Sequence, residues 1–246
     1  MTYRIFAEPS PGVIAHTAAS RVLATDENLA NFIEVAFDEL LPAASRMVDA
    51  MERWPRSHEP NEAGFNIANA TQDSMFAVMD KDPARARRFA GSMRHFLDTP
   101  AFSPNHLSEG FEWATVEKLV DVGGNSGAIA VELARKFPHL RCVVQDLPGT
   151  IETARVPTDV SERVSLMAHD FFVEQPVCDA DVYLIRWVLH DWSDLYVAKI
   201  LRAIVPAMKK DAKLIMNDSC LPEPGTMSFY DQRFLRYEHL LSPLNF

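Results

Sequence analysis

Basic residues are in short supply in this chain: 24 Lys and Arg stand against 34 Asp and Glu in 246 residues, a formal net charge of −10. A surface that wraps a polyanion needs clustered cations, so nucleic acid is not an expected partner. Cysteine is scarce too. Cys142, Cys178 and Cys220 lie far apart with no Cys-x-x-Cys pair, a pattern that suits reduced, mostly buried thiols and offers neither a disulfide framework nor zinc-ligand spacing. No apolar run reaches the roughly eighteen residues needed to cross a bilayer, and the first twelve residues lack the apolar core of a secretory signal. A cytoplasmic protein with no membrane partner and no metal is expected. Glycine is also rare, nine residues in all, yet Gly123, Gly124 and Gly127 fall within one short segment.

The remainder is ordinary globular material, 48% hydrophobic and 24% charged, without repeats or low-complexity stretches. Tyr3–Glu8 and Val13–Thr17 flank Pro9-Ser10-Pro11-Gly12, which predicts an opening β-hairpin. From Thr25 to Ala50, Leu29, Phe32, Ile33, Ala36, Phe37 and Leu40 recur at three- and four-residue intervals, the signature of one apolar helix face; Pro42 interrupts it, and a second helix follows to about Trp54. Pro55–Asn61 is polar and predicts a loop. Gly64–Asp98 predicts two helices split at Asp82-Pro83, because proline suits a helix first turn. Phe65, Met75, Phe76, Met79, Met93 and Phe96 in this stretch fit either a packed core or a pliable pocket wall.

The texture changes near Thr115. Short apolar runs at Lys118–Val122, Arg141–Gln145, Val164–Met167, Val182–Arg186 and Lys213–Asn217 alternate with helical stretches, notably Gly127–Phe137 and Leu195–Met208. Such alternation predicts an α/β fold with a parallel sheet covered on both faces. Ligands of these sheets bind beyond the carboxyl ends of the strands, where strand order reverses. Gly123-Gly124 and Gly127 follow the first of these strands and open a helix, so the backbone can turn tightly and come close to a ligand. Asp146 comes just past the second strand, placed to accept hydrogen bonds from ribose hydroxyls. Asp170 and Phe171 end the third strand, as an acceptor for an adenine amino group and a packing surface for its ring, and Arg186 ends the fourth. The Gly-Gly-x-x-Gly spacing differs from the Gly-x-Gly-x-x-Gly of dinucleotide sites, which favours a ligand with an amino-acid tail over one with a pyrophosphate. A tight turn with no ligand is the alternative for the glycines.

His190, in the segment Arg186-Trp187-Val188-Leu189-His190-Asp191-Trp192, lies beside the same crevice, and an imidazole titrates near neutrality. Asp218 follows the next strand and can orient that ring as the acid of a triad does. On residue chemistry alone, a satisfied structural role for His190 stays the commoner outcome. The other histidines, His169 included, lack comparable context.

The segments LVDVGGNSG, VVQDLP, HDFF, LIRWVLHDWSD and LIMNDSCLPEPG, in that order, resemble the S-adenosylmethionine-dependent O-methyltransferases of the plant caffeate and flavonoid type, class I and cation-independent. YRIFAEPSPGVIAHTAASR, SHEPNEAGFNIAN and DPARARRFAGSM resemble the fungal secondary-metabolite branch of that family, so the likeness spans nearly the whole chain. The resemblance implies a Rossmann-like methyltransferase domain over 111–246, preceded over 1–110 by a mainly helical region with a remnant winged-helix hairpin and acceptor-pocket helices. It implies methyl transfer from S-adenosylmethionine to a hydroxyl of a phenolic, aromatic or polyketide-like acceptor. Cofactor contacts carry over to Gly123, Gly124, Asp146, Asp170, Phe171 and Arg186. His190 takes the place of the proton acceptor, and Asp218 that of the first supporting acid, usually the longer glutamate. Against the family pattern the chain looks shortened at both ends, stopping at Ser242–Phe246 before a second supporting acid and two antiparallel strands. For assembly, the shortened dimerisation region counts against the family's homodimer, and a homodimer or a completing partner subunit stays an open alternative, not the expectation. Two alternatives remain: a non-methylating relative that binds S-adenosylmethionine structurally and assists a pericyclic or assembly step, and a nicotinamide-dependent oxidoreductase, which the glycine spacing disfavours.

Overall fold

The computed structural model describes residues 3–97, 102–218, 223 and 225–228. The tail at Ser242–Phe246, on which the expectation of a shortened sheet rests, and Cys220 lie outside them.

The opening hairpin pairs β1 (Phe6–Ser10) with antiparallel β2 (Val13–His16). Its turn is tighter than the four-residue stretch expected, because Pro9 and Ser10 remain in the strand and Pro11-Gly12 alone reverse it. The Thr17 hydroxyl then accepts from the Ser20 amide and starts α1 (Ala18–Thr25), a helix the apolar pattern did not signal. Asp26 caps α2 (Glu27–Val35) by accepting from Leu29 N at 3.0 Å.

The break expected at Pro42, between two helices, comes earlier than that. A π-turn at Ala36–Leu40 precedes α3 (Leu41–Ser45), and a further break at Arg46 leads into α4 (Met47–Arg53). The extra residue of a π-turn rotates everything after it by about 100°. Phe37, expected on the buried face, is 63% exposed, while Glu39 turns inward and is 3% exposed. Arg85 meets it there, with Nε 2.8 Å from Oε1 and Nη2 on Oε2.

Three helices rather than two follow: α5 (Gly64–Asn69), α6 (Met75–Lys81) and α7 (Pro83–Leu97). Ala70, left-handed at φ +49°, stops α5, and Ser74 caps α6. Both readings of the Met/Phe stripe apply, to different residues. Phe65, Met75 and Met79 form a buried cluster with Ala43, while Phe76, Met93 and Phe96 face a cavity that Met75 and Met79 also reach.

After α8 (Asn105–Gly110) come β3 (Lys118–Val122), α9 (Ala128–Lys136), β4 (Arg141–Asp146), α10 (Pro148–Thr153), β5 (Val164–Ala168), β6 (Val182–Arg186), α11 (Asp194–Ile204) and β7 (Lys213–Asn217). The five strands are parallel in the order β5-β4-β3-β6-β7. Alternate residues feed two cores: Leu119, Val144 and Leu184 pack with Ile129 and Leu133 of α9, and Val120, Val122, Tyr183 and Ile185 pack with Ile200 and Ile204 of α11. Apolar residues on both faces are what a covered parallel sheet requires. The chain builds outward from β3 to β4 and β5, then crosses to β6 and β7, which makes the β3/β6 boundary the point where strand order reverses.

The helical half is tied to the sheet half by polar contacts. Asp80 of α6 accepts from Gly149 N at 2.6 Å, and the 55–62 loop meets the start of α11 through Ser193 Oγ to His58 O at 3.1 Å and Tyr196 OH to Glu59 at 2.5 Å. Of the two thiols described, Cys142 is buried and Cys178 is exposed, against the expectation of burial for most. No helix among the described residues is long and apolar enough to cross a membrane.

Candidate active site

Between the strand ends and the α6–α7 pair lies a cavity of about 580 Å³. It lies at the carboxyl ends of β3 and β6, and it brings together Gly123, Gly124, Asp146, Asp170, Phe171, Arg186 and His190. Asp218 joins them through His190.

The glycine loop is fixed by the neighbouring strand. Gly123 N and Gly124 N both donate to Gln145 O, at 2.9 and 3.0 Å, and Gly123 holds φ +71°. Gly127, also left-handed, is the N-cap of α9 and brings no side chain to cap its first-turn amides. Asp146 is anchored from two directions: Oδ2 accepts from Asn125 N and Oδ1 from Leu147 N, each at 2.8 Å. Burial raises its pKa, and these amide bonds oppose the rise. Asp170, on the rim, accepts from Phe172 N at 2.9 Å. Phe171 sits edge-on to Trp192, ring centroids 5.8 Å apart, in an aromatic cluster beneath the loop.

His190 stands on a single 3₁₀ turn, Leu189–Asp191, rather than directly on the strand end. Its Nδ1 is 2.6 Å from Asp218 Oδ1, and its Nε2 is 3.6 Å from Asp191 Oδ1. With Asp218 accepting from Nδ1–H, the tautomer places the ring's lone pair on Nε2. The aspartate therefore reaches the imidazole although it is shorter than the glutamate usual at this place.

Arg186 lines the cavity, yet its guanidinium is engaged by protein groups: Nη1 donates to Asn217 Oδ1, Nη2 donates to Phe102 O at 2.8 Å, and Cζ lies 4.1 Å from the centroid of the Trp187 ring.

Three lining residues had no role assigned from the sequence. Asp121, 2% exposed, has an Oδ2 with no hydrogen-bond partner among the described residues. Burial pushes its carboxyl up to about 7 against the opposing pull of Arg186. An acid among Leu119, Val120 and Val122, directly before the glycines, was the available signal. Arg94 reaches from α7 to Ser126 Oγ at 3.2 Å, a contact across 32 positions that no local pattern marks. Trp187 has φ +53°, a backbone state unusual for so bulky a residue.

A family profile described as an O-methyltransferase domain matches residues 55–234. The chain is 43% identical over 238 residues to O-methyltransferase kk1A of Curvularia clavata, covering 96% of the chain and 56% of that protein. It is 41% identical over 246 residues to chlorophenol O-methyltransferase of Trichoderma longibrachiatum, covering 96% of the chain and 53% of that protein. Among solved structures, LepI in complex with SAM superposes with a TM-score of 0.75 at 22% identity, over 99% of the chain and 63% of LepI, a likeness of fold. The chain spans just over half the length of these curated relatives.

Proposed function

Because the chain belongs to the O-methyltransferase domain family, we propose that it moves a methyl group from S-adenosylmethionine to a hydroxyl of a phenolic or polyketide-like small molecule, with His190 as general base. The observation that carries this reading is the His190–Asp218 contact of 2.6 Å at the edge of the cavity that the glycine loop enters.

The residues fit such a donor. Gly124, backed against Asp121 and Val144, exposes bare backbone to the cavity, Asp146 lines that cavity with its carboxylate held by two amides, and Arg94 supplies a cation near the uncapped start of α9 for a carboxylate tail. The orphaned Asp121 carboxyl supplies an acceptor where a cationic donor would benefit from one. When bound, the donor supplies an electrophilic methyl on a sulfonium. The chain's part is to hold the acceptor's hydroxyl in line and to receive its proton on His190 Nε2, while Asp218 fixes the ring and stabilises the imidazolium. Phe96, Phe102 and Trp187, mutually edge-on with centroids 5.2 to 6.2 Å apart, form a wall suited to a flat acceptor. The chlorophenol activity named for the Trichoderma relative supports a phenolic class.

The test is calorimetric binding of S-adenosylmethionine and S-adenosylhomocysteine, followed by transfer from labelled donor to a panel of phenols. Binding is expected, weakened at least tenfold by Asp146→Ala; transfer is expected to fall about 10²–10⁴-fold in His190→Ala. Binding without transfer, unaffected by His190→Ala, would leave the non-methylating alternative standing. Absence of binding would remove both.

A further inference from the structure

Arg186 is the point where three parts of the site meet. β6 and β7 are in register, Arg186 opposite Asn217, so the guanidinium crosses to the neighbouring strand and donates to the Asn217 side chain. Its other nitrogen holds the carbonyl of Phe102, a cavity-lining residue 84 positions away. The cation also lies over the Trp187 indole at 4.1 Å. Trp187, in its left-handed conformation, donates its own amide to Asn217 O at 3.2 Å. The residue after Asn217 is Asp218, the partner of His190, and Asp218 also acts on Arg186 electrostatically, as does Asp121.

Each contact constrains the base or the wall beside it. Asn217 sets where β7 ends and so where Asp218 begins. Trp187 is three residues before His190 and sets the path into the 3₁₀ turn. The Phe102 carbonyl holds a ring that packs edge-on to Trp187, centroids 5.2 Å apart. A guanidinium can satisfy two acceptors and stack on an indole at once, because its donors are planar and fixed in direction; an ammonium cannot. Leaving this group unpaired would strand the Asn217 and Phe102 acceptors as well as a positive charge.

We infer that Arg186 is a positioning residue for methyl transfer: it holds Asp218, Trp187 and the Phe102 wall in one register, and thereby aims His190, instead of serving only as a ligand of the donor. The inference rests on His190 being the base of the reaction proposed above. It differs from the expectation for Arg186 drawn from the resemblance, which made it a donor contact.

The two roles separate in steady-state kinetics. Arg186→Lys and Asn217→Ala are compared with the wild type, with S-adenosylhomocysteine binding measured in parallel by calorimetry. A positioning role predicts that both variants lose tenfold or more in kcat at saturating donor, with donor affinity within about threefold of wild type. Asn217 does not line the cavity, so its variant cannot act through a lost donor contact. The double variant is expected to be no worse than the weaker single, because both break one contact. Added methylguanidine is expected to restore part of the kcat of Arg186→Ala, which a merely structural loss of fold would not allow. Weakened donor binding with unchanged kcat in Arg186→Lys, or a wild-type kcat in Asn217→Ala, would overturn the proposal. If the wild type binds donor but transfers nothing to any phenol, the functional reading fails first and is recognised as such.

Discussion

Gly124→Ala is the most demanding test of the glycine loop, since it adds a single methyl group. A Cβ at this position would lie 2.6 Å from Asp121 Cγ and Oδ2 and 2.9 Å from Val144 Cγ1. Neither neighbour can withdraw. Val144 is 0% exposed and locked between strands, and Asp121 is 2% exposed on the central strand. The loop cannot easily rise either, because Gly123 N and Gly124 N are both bonded to Gln145 O. Forcing one methyl into a packed site of this kind costs about 1–3 kcal/mol. Much of the cost is expected to be met by displacing the loop, so S-adenosylhomocysteine affinity should fall roughly 5- to 150-fold at 1.4 kcal/mol per tenfold. Calorimetric titration reads this directly, with thermal unfolding followed on the same samples. Gly110→Ala serves as the control: nothing lies within 4 Å of a Cβ there, and affinity and melting temperature should hold. An affinity for Gly124→Ala within twofold of wild type, with an unmoved melting temperature, would refute the packing of loop against Asp121 and Val144.

Asp121 itself should leave a pH signature. Its folded-state pKa of about 7 lies above that of the unfolded chain, so the folded protein holds the proton more tightly, and the carboxyl costs stability progressively as pH rises from about 4 to about 7. Asp121→Asn should therefore raise the urea midpoint more at pH 8 than at pH 5; an equal shift at both would show that the group does not titrate between them. In the helical half, Arg85→Met takes both close hydrogen bonds from the buried Glu39 carboxylate and leaves it only Arg88 at 3.8 Å, so it should cost roughly 3 kcal/mol in chemical denaturation, whereas adding Glu39→Leu should recover most of that loss. A loss below 1 kcal/mol in the single variant would contradict the inward turn of Glu39.

Much of the site was legible because it depends on local order along the chain. A strand, then Gly123-Gly124, then a helix, then an acid at the next strand end can be read in sequence, because parallel strands must all present their carboxyl ends to one side. His190 and Asp218 were legible together for the same reason: each follows a strand, and adjacent strands in register deliver their next residues side by side. The five strand positions were legible because apolar runs covered on both faces interrupt the helical period.

The helical half was less legible, since a π-turn has no periodic signature and shifts the phase it is read by. One inserted residue at Ala36–Leu40 moved Phe37 outward and Glu39 inward. Local chain order specified the succession of elements, the glycine loop and the strand ends that carry its partners. Tertiary structure alone decided the strand order, the burial that lifts Asp121, the reach of Arg94 to Ser126, and the choice of Arg186 for Asn217 and Phe102. Those contacts span 31 to 84 positions for the two arginines, and a pairing at such separation follows from how strands and helices pack, not from any pattern within them.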